Sequence, residues 1–251
     1  MSAAAPVRFA ATVRSEWTKL RTSRAVMLTA LAAALVTFVL TALHCANAPR
    51  GRIDAVGASL FGITVAQFIA GVCGAVAVTN EYSSATMRIS LVATPRRGQL
   101  FAAKTALFAA TALGYGALVV GVTFALGRTL LGTLHSDAGD PVTVIRRIAG
   151  AVAVLTVMTL LGLACGYLTR HSAGAIVATL AVLILPKLVA DALPAAVHGH
   201  VLRYTPLSAA DSLVSLPDPG ILAPATALAV IAVEVAALLA LAGVAFARRD
   251  A

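Results

Sequence analysis

An all-α integral membrane bundle of six transmembrane helices is the fold this sequence predicts, and three observations lead to it. Hydrophobic residues make up 60% of the 251 and charged residues only 12%. Soluble domains hold about 45–50% apolar residues even with glycine counted, and about 25% charged ones. Six apolar stretches follow one another, each long enough or nearly so for a helix rising about 1.5 Å per residue to cross an apolar layer about 30 Å thick. The basic residues that flank these stretches are shared unequally between the two sides. Disordered, coiled-coil and disulfide-scaffold classes are excluded by the apolar content and by a cysteine count of three.

The spans are expected at about 25–44, 57–79, 105–126, 148–168, 173–193 and 221–246, within a transmembrane domain covering 25–246. Charge brackets the third, between Lys104 and Arg128, and the fourth, between Arg147 and Arg170, which makes those two boundaries the firmest. The fifth meets Pro186 and Lys187 before it is complete; the proline kinks it and the lysine snorkels while the span runs on to Leu193. The first span is expected to be retained. Its apolar run is longer than the 7–15 residues usual for a signal peptide, and no paired arginines precede it.

With the N-terminus inside, twelve bases fall on that side: Arg8, Arg14, Lys19, Arg21, Arg24, Arg88, Arg96, Arg97, Lys104, Arg170, Arg248 and Arg249. Seven fall on the other: Arg50, Arg52, Arg128, Arg146, Arg147, Lys187 and Arg203. The excess predicts that both termini, including the tail 247–251, are cytoplasmic, with Arg146 and Arg147 as the discordant pair. The net charge of +9 is thus taken up by membrane topology, and no nucleic acid is expected.

Residues 1–24 form a cytoplasmic, interfacial segment. Phe9, Val13, Trp17 and Leu20 recur at helical spacing among polar residues, an amphipathic pattern suited to lipid headgroups, with Trp17 at the interface. Between the second and third spans, 80–100 is too long and too patterned for a minimal turn. Ser83 or Ser84 caps a helix start, Met87, Leu91 and Val92 make a short apolar stripe, and Pro95 forces a stop. The result is a short cytoplasmic helix presenting Arg88, then Arg96 and Arg97, an element suited to docking on another protein.

This segment resembles the coupling-helix region of the six-span ABC-2 type permeases, the membrane subunits of bacterial ABC exporters. The stretch Glu16-Trp17-Thr18-Lys19-Leu20-Arg21-Thr22-Ser23-Arg24 is similar to the N-terminal helix of that family, and Arg203-Tyr204-Thr205-Pro206-Leu207 also looks like it. Span number, order and topology agree along essentially the whole chain. The resemblance implies a permease in the bacterial plasma membrane that pairs with a second copy or a paralogue. It also implies a cytosolic ABC ATPase, which binds ATP and Mg and docks on Glu81, Met87, Arg88, Leu91, Arg96 and Arg97. No cofactor is expected in this chain itself. Its three lysines follow Thr18, Ala103 and Pro186, so no Gly-Lys-Ser/Thr phosphate loop is present.

Inside the membrane, Glu234 is the one carboxylate well within a span. Such a group is a functional candidate because its charge is costly there. It either lines a substrate path or makes a structural interhelical hydrogen bond; alone, it is a poor proton relay. His198-Gly199-His200 lacks any companion ligand set and reads as solvated loop, not as a metal site. Cys45, Cys73 and Cys165 read as small apolar residues. The stretch 194–220 carries four prolines and the apolar run Leu207 to Val214, and is expected to fold back over the outer mouth. A membrane-embedded enzyme would need a nucleophile elbow or metal motif, and a secondary transporter several intramembrane charges or an internal repeat; neither pattern is found.

Overall fold

A computed structural model describes residues 9–49, 53–84, 86–93, 96–132, 140–216, 218 and 220–248. Among these residues all regular structure is α-helical: α1 (Phe9–Thr22), α2 (Arg24–Ala46), α3 (Ala55–Ser59), α4 (Ile63–Ser83), α5 (Thr86–Ala93), α6 (Arg97–Leu131), α7 (Pro141–Thr169), α8 (Ser172–Asp191), α9 (Ala195–Leu202), α10 (Pro206–Val214) and α11 (Pro224–Arg248). Six units are long and apolar enough to cross a membrane: α2, α3 with α4, α6, α7, α8 and α11. The chain is a multi-pass membrane protein.

The helices are longer than the uncharged runs in the sequence. Lys104 lies within α6 and Arg147 within α7, each 1% exposed. A charge ends a span only when it must reach water, and both of these find partners inside the bundle. Arg147 lies between α3 and α10. Its guanidinium donates to both oxygens of Asp54, at 2.7 and 2.6 Å, while its Nε donates to the carbonyl of Val214. Asp54 also caps α3 by accepting from the Gly57 N–H. Burial alone would raise the Asp54 carboxyl, but the Arg147 hydrogen bonds and charge with the Gly57 N–H hold it below its ordinary value. The discordant Arg147 is therefore a clasp tying three elements at one end of the bundle.

The two best buried spans, α4 and α7, run together through the centre. They meet backbone to backbone: a Cβ on Gly74 would lie 2.0 Å from the Thr159 carbonyl oxygen, and one on Gly162 would lie 1.7 Å from that of Gly71. Met158, Leu161, Val154 and Ile63 fill the adjoining core, with Ile231 and Val235 of α11. By contrast α2, α8 and α11 are covered on less than a quarter of their apolar windows. Pro186 lies inside α8, which runs as helix to Asp191. The stretch after α8 forms α9 and α10, and α10 buries Leu207, Ala209, Ala210 and Leu213 in the central core. Arg8, Arg50, Arg52, Pro95 and Arg249 lie outside the described residues.

Candidate functional site

At the N-terminal end of the bundle, four charged side chains from three elements converge. Glu16 and Lys19 stand on α1, Glu81 ends α4, and Lys104 sits one turn and more inside α6. The Lys104 ammonium lies 2.5 Å from one Glu16 oxygen and 2.6 Å from Glu81 Oε1. Lys19 also pairs with Glu16, stands 3.9 Å from Glu81, and donates to Ser90 Oγ at 2.6 Å. Ser90, on α5, donates its hydroxyl to the Thr86 carbonyl at 2.8 Å. Two positive and two negative groups make the cluster neutral, as so much burial requires: an unpaired ion there would cost several kcal/mol. Burial pushes the Glu16 carboxyl up, but the Lys104 charge, with hydrogen bonds from Lys104 and Lys19, outweighs it and holds the group below its ordinary value. A cavity of about 220 Å³ adjoins the cluster, walled by Asn80, Ser84 and Thr86 besides the charges.

The cluster also explains how α1 sits. Thr12 and Glu16 are each 3% exposed, whereas Phe9 and Trp17 are 49% and 41% exposed. The polar face thus turns to the protein, and the aromatic face turns outward, where membrane interface suits it. Gln99 fixes the start of α6 to α1 by donating to Thr12 Oγ1 at 3.1 Å. Arg97 reaches the Phe246 carbonyl of α11 at 3.5 Å.

The six residues expected to meet a partner therefore divide. Met87 is 1% exposed and packs against Leu100, Phe108 and Tyr167 in this chain's own core, so it is not offered outward. An eight-residue helix has little stability alone and must spend its apolar stripe on the bundle. Glu81 is an internal ion-pair partner, though its Oε2 has none among the described residues. Arg96 is exposed at the start of α6, and Arg97 is half-buried. The side chains of Arg88 and Leu91 lie outside the described residues. Val92, expected on the same apolar stripe as Met87, is 84% exposed on α5. Lys104 reads in the sequence as a span boundary and not as a member of a site. Its partners are far away in sequence, and only the scarcity of charge in so apolar a chain marks it.

Glu234 is half-buried on α11 and faces a cavity of about 1000 Å³ between α8, α9, α10 and α11. Its Oε2 has no hydrogen-bond partner among the described residues, so the interhelical hydrogen bond that would give it a structural role is not seen there. The same region holds Arg203 to Leu207, the turn leading into α10. Among the described residues no group of three or more His, Cys, Asp or Glu is placed to hold a metal ion.

No curated protein matches the chain. The family model described as ABC-2 family transporter protein matches residues 12–186, from the first turn of α1 to Pro186 within α8. That stretch holds every member of the charge cluster, α5 and the central α4/α7 pair, and it exceeds half the chain: this protein belongs to the ABC-2 family of membrane transporter proteins.

Proposed function

We propose that the chain is the membrane-spanning permease subunit of an ATP-driven exporter of a small or lipophilic molecule. A cytosolic ABC ATPase binds ATP and Mg and hydrolyses the nucleotide, while this chain, with a second copy or a close paralogue, supplies the path across the bacterial plasma membrane. Both termini and α5 face the cytoplasm. Docking falls on the outer side of α5 and the following turn, where Val92 and Arg96 are exposed, with Arg88 and Leu91 on the same short helix.

The observation that carries this reading is the way α5 is held. It is joined to α4 through the turn at Ser84, buried through Met87, and bonded through Ser90 to Lys19 and so to Glu16, Glu81 and Lys104. A displacement imposed on α5 by an ATPase is passed to α1, α4 and α6 together, since loosening any one would strand buried charge. Charge-assisted contacts from Arg88, Arg96 and Arg97 complete the rim of the docking surface.

Leu91→Asp and Val92→Asp test it. Each puts a charge into a desolvated contact without removing a base. Both variants are expected to insert normally, lose the co-purifying ATPase and lose transport together. If both retain the ATPase as wild type does, while replacing Arg96 and Arg97 with Gln alters only orientation in the membrane, the segment is a topological anchor held by anionic lipid, at about 1 kcal/mol per base.

A further inference from the structure

We propose that the cavity facing Glu234 is a binding site for lipophilic monocations, and that such cations are the class of cargo this permease takes. The second half rests on the transport reading above; the first does not.

The cavity, about 1000 Å³, is walled by Leu161, Val182, Leu185, Pro186 and Leu238, with Glu234 as its acidic lining residue. Its mouth lies at the bundle surface, where Leu185 and Tyr204 are 54% and 51% exposed. A ligand therefore enters sideways from the lipid. Glu234 stands ten residues from Pro224 and fourteen from Arg248, about 15 Å and about 21 Å along α11, which sets it in the apolar middle of the span.

The hydrogen-bonding character of the walls has one sign. Glu234 Oε2 is an acceptor without a partner among the described residues. Pro186 has no N–H to give to the Val182 carbonyl four residues back, and both line the cavity. The Thr205 hydroxyl is already spent on the Leu202 carbonyl at 2.8 Å. Neither Lys nor Arg lines the cavity, and its remaining donors, on His200 and Tyr204, belong to exposed residues at the rim. An apolar groove with acceptors inside disfavours an anion and gives a neutral molecule without a hydrogen-bond donor only area. A bulky cation whose charge is already poorly hydrated supplies what the carboxylate lacks, at little desolvation cost of its own.

Tetraphenylphosphonium and tetraphenylborate have the same shape and opposite charge. Saturable retention of each is measured on the purified chain in phosphatidylcholine nanodiscs, above protein-free discs and without any ATPase. The cation is expected to be retained and the anion not. Glu234→Gln should weaken cation retention about tenfold or more, because the amide keeps the shape and removes the charge that attracts the cation. Ala181→Phe, which narrows the chamber and leaves its charge alone, should weaken it as well. Equal retention of the two ions, as an acyl-chain groove would give, overturns the proposal, as does undiminished cation retention by either variant. Failure of the ATPase to co-purify would overturn the transport reading and leave this measurement untouched.

Discussion

Lys104 carries more of the architecture than any residue that the sequence marks out. It is almost wholly buried, and two carboxylates from two other helices meet its ammonium. Lys104→Met would leave Glu16 and Glu81 sharing Lys19 alone, and removing one partner from a buried pair costs about 3–5 kcal/mol. A marked fall in the thermal denaturation midpoint of the detergent-purified chain is expected, with a smaller fall for Glu16→Gln, because Glu81 still serves the lysine. The pH dependence has a defined sign. Glu16 and Asp54 are both held below their ordinary values of 4.5 and 3.8, so their contribution is complete above those values and disappears as acid takes the pH through the lowered ones. The denaturation midpoint should therefore drop on acidification below about pH 4, and less steeply in Glu16→Gln than in wild type. The sequence displayed all four charges but not their pairing. Glu16 and Lys104 stand 88 positions apart, and nothing in local periodicity reports which polar face of a helix will turn inward.

At the scale of the element, α5 separates what pattern reveals from what packing decides. Its existence and apolar stripe are legible in Met87 and Leu91, and the structure has a helix over Thr86–Ala93; the expected cap is not, because Ser83 ends α4, Ser84 is the C-cap of α4, and both hydroxyls donate back to the Asn80 carbonyl. The use of the stripe is not legible, because amphipathicity says that a face is covered and leaves open by what. Met87→Ala is expected to cost about 2–5 kcal/mol, the usual penalty for emptying a buried methionine site. Protease susceptibility near α5 should rise, whereas a purely partner-facing methionine would leave the free chain unchanged. Span edges follow the same logic. Bracketing by Lys104 and Arg147 marks where charge enters the sequence, whereas α6 and α7 continue past both because each finds a carboxylate. The glycines were abundant enough to announce close helix contacts without saying where. Gly74 and Gly162 make them; Gly114 and Gly121 face open space.

For the whole molecule, the six spans and the likeness to the ABC-2 permeases were readable because hydropathy follows from the bilayer itself. In a cysteine-free version, Gly98→Cys should resist an impermeant thiol reagent in intact cells, whereas Leu216→Cys, at an exposed site beyond α10, should react. Labelling of Gly98→Cys without lysis would reverse the topology. The close contact of α4 with α7 bears on how such a molecule changes shape. Two backbones in contact have no side chain between them that can swing to a second rotamer, so neither helix can ratchet past the other. The pair acts as a keel. Alternation of access, under the transport reading, is expected to move the peripheral α2, α8 and α11 about that keel, and a rigid crosslink between α4 and α7 should leave turnover intact where one between α4 and α8 arrests it.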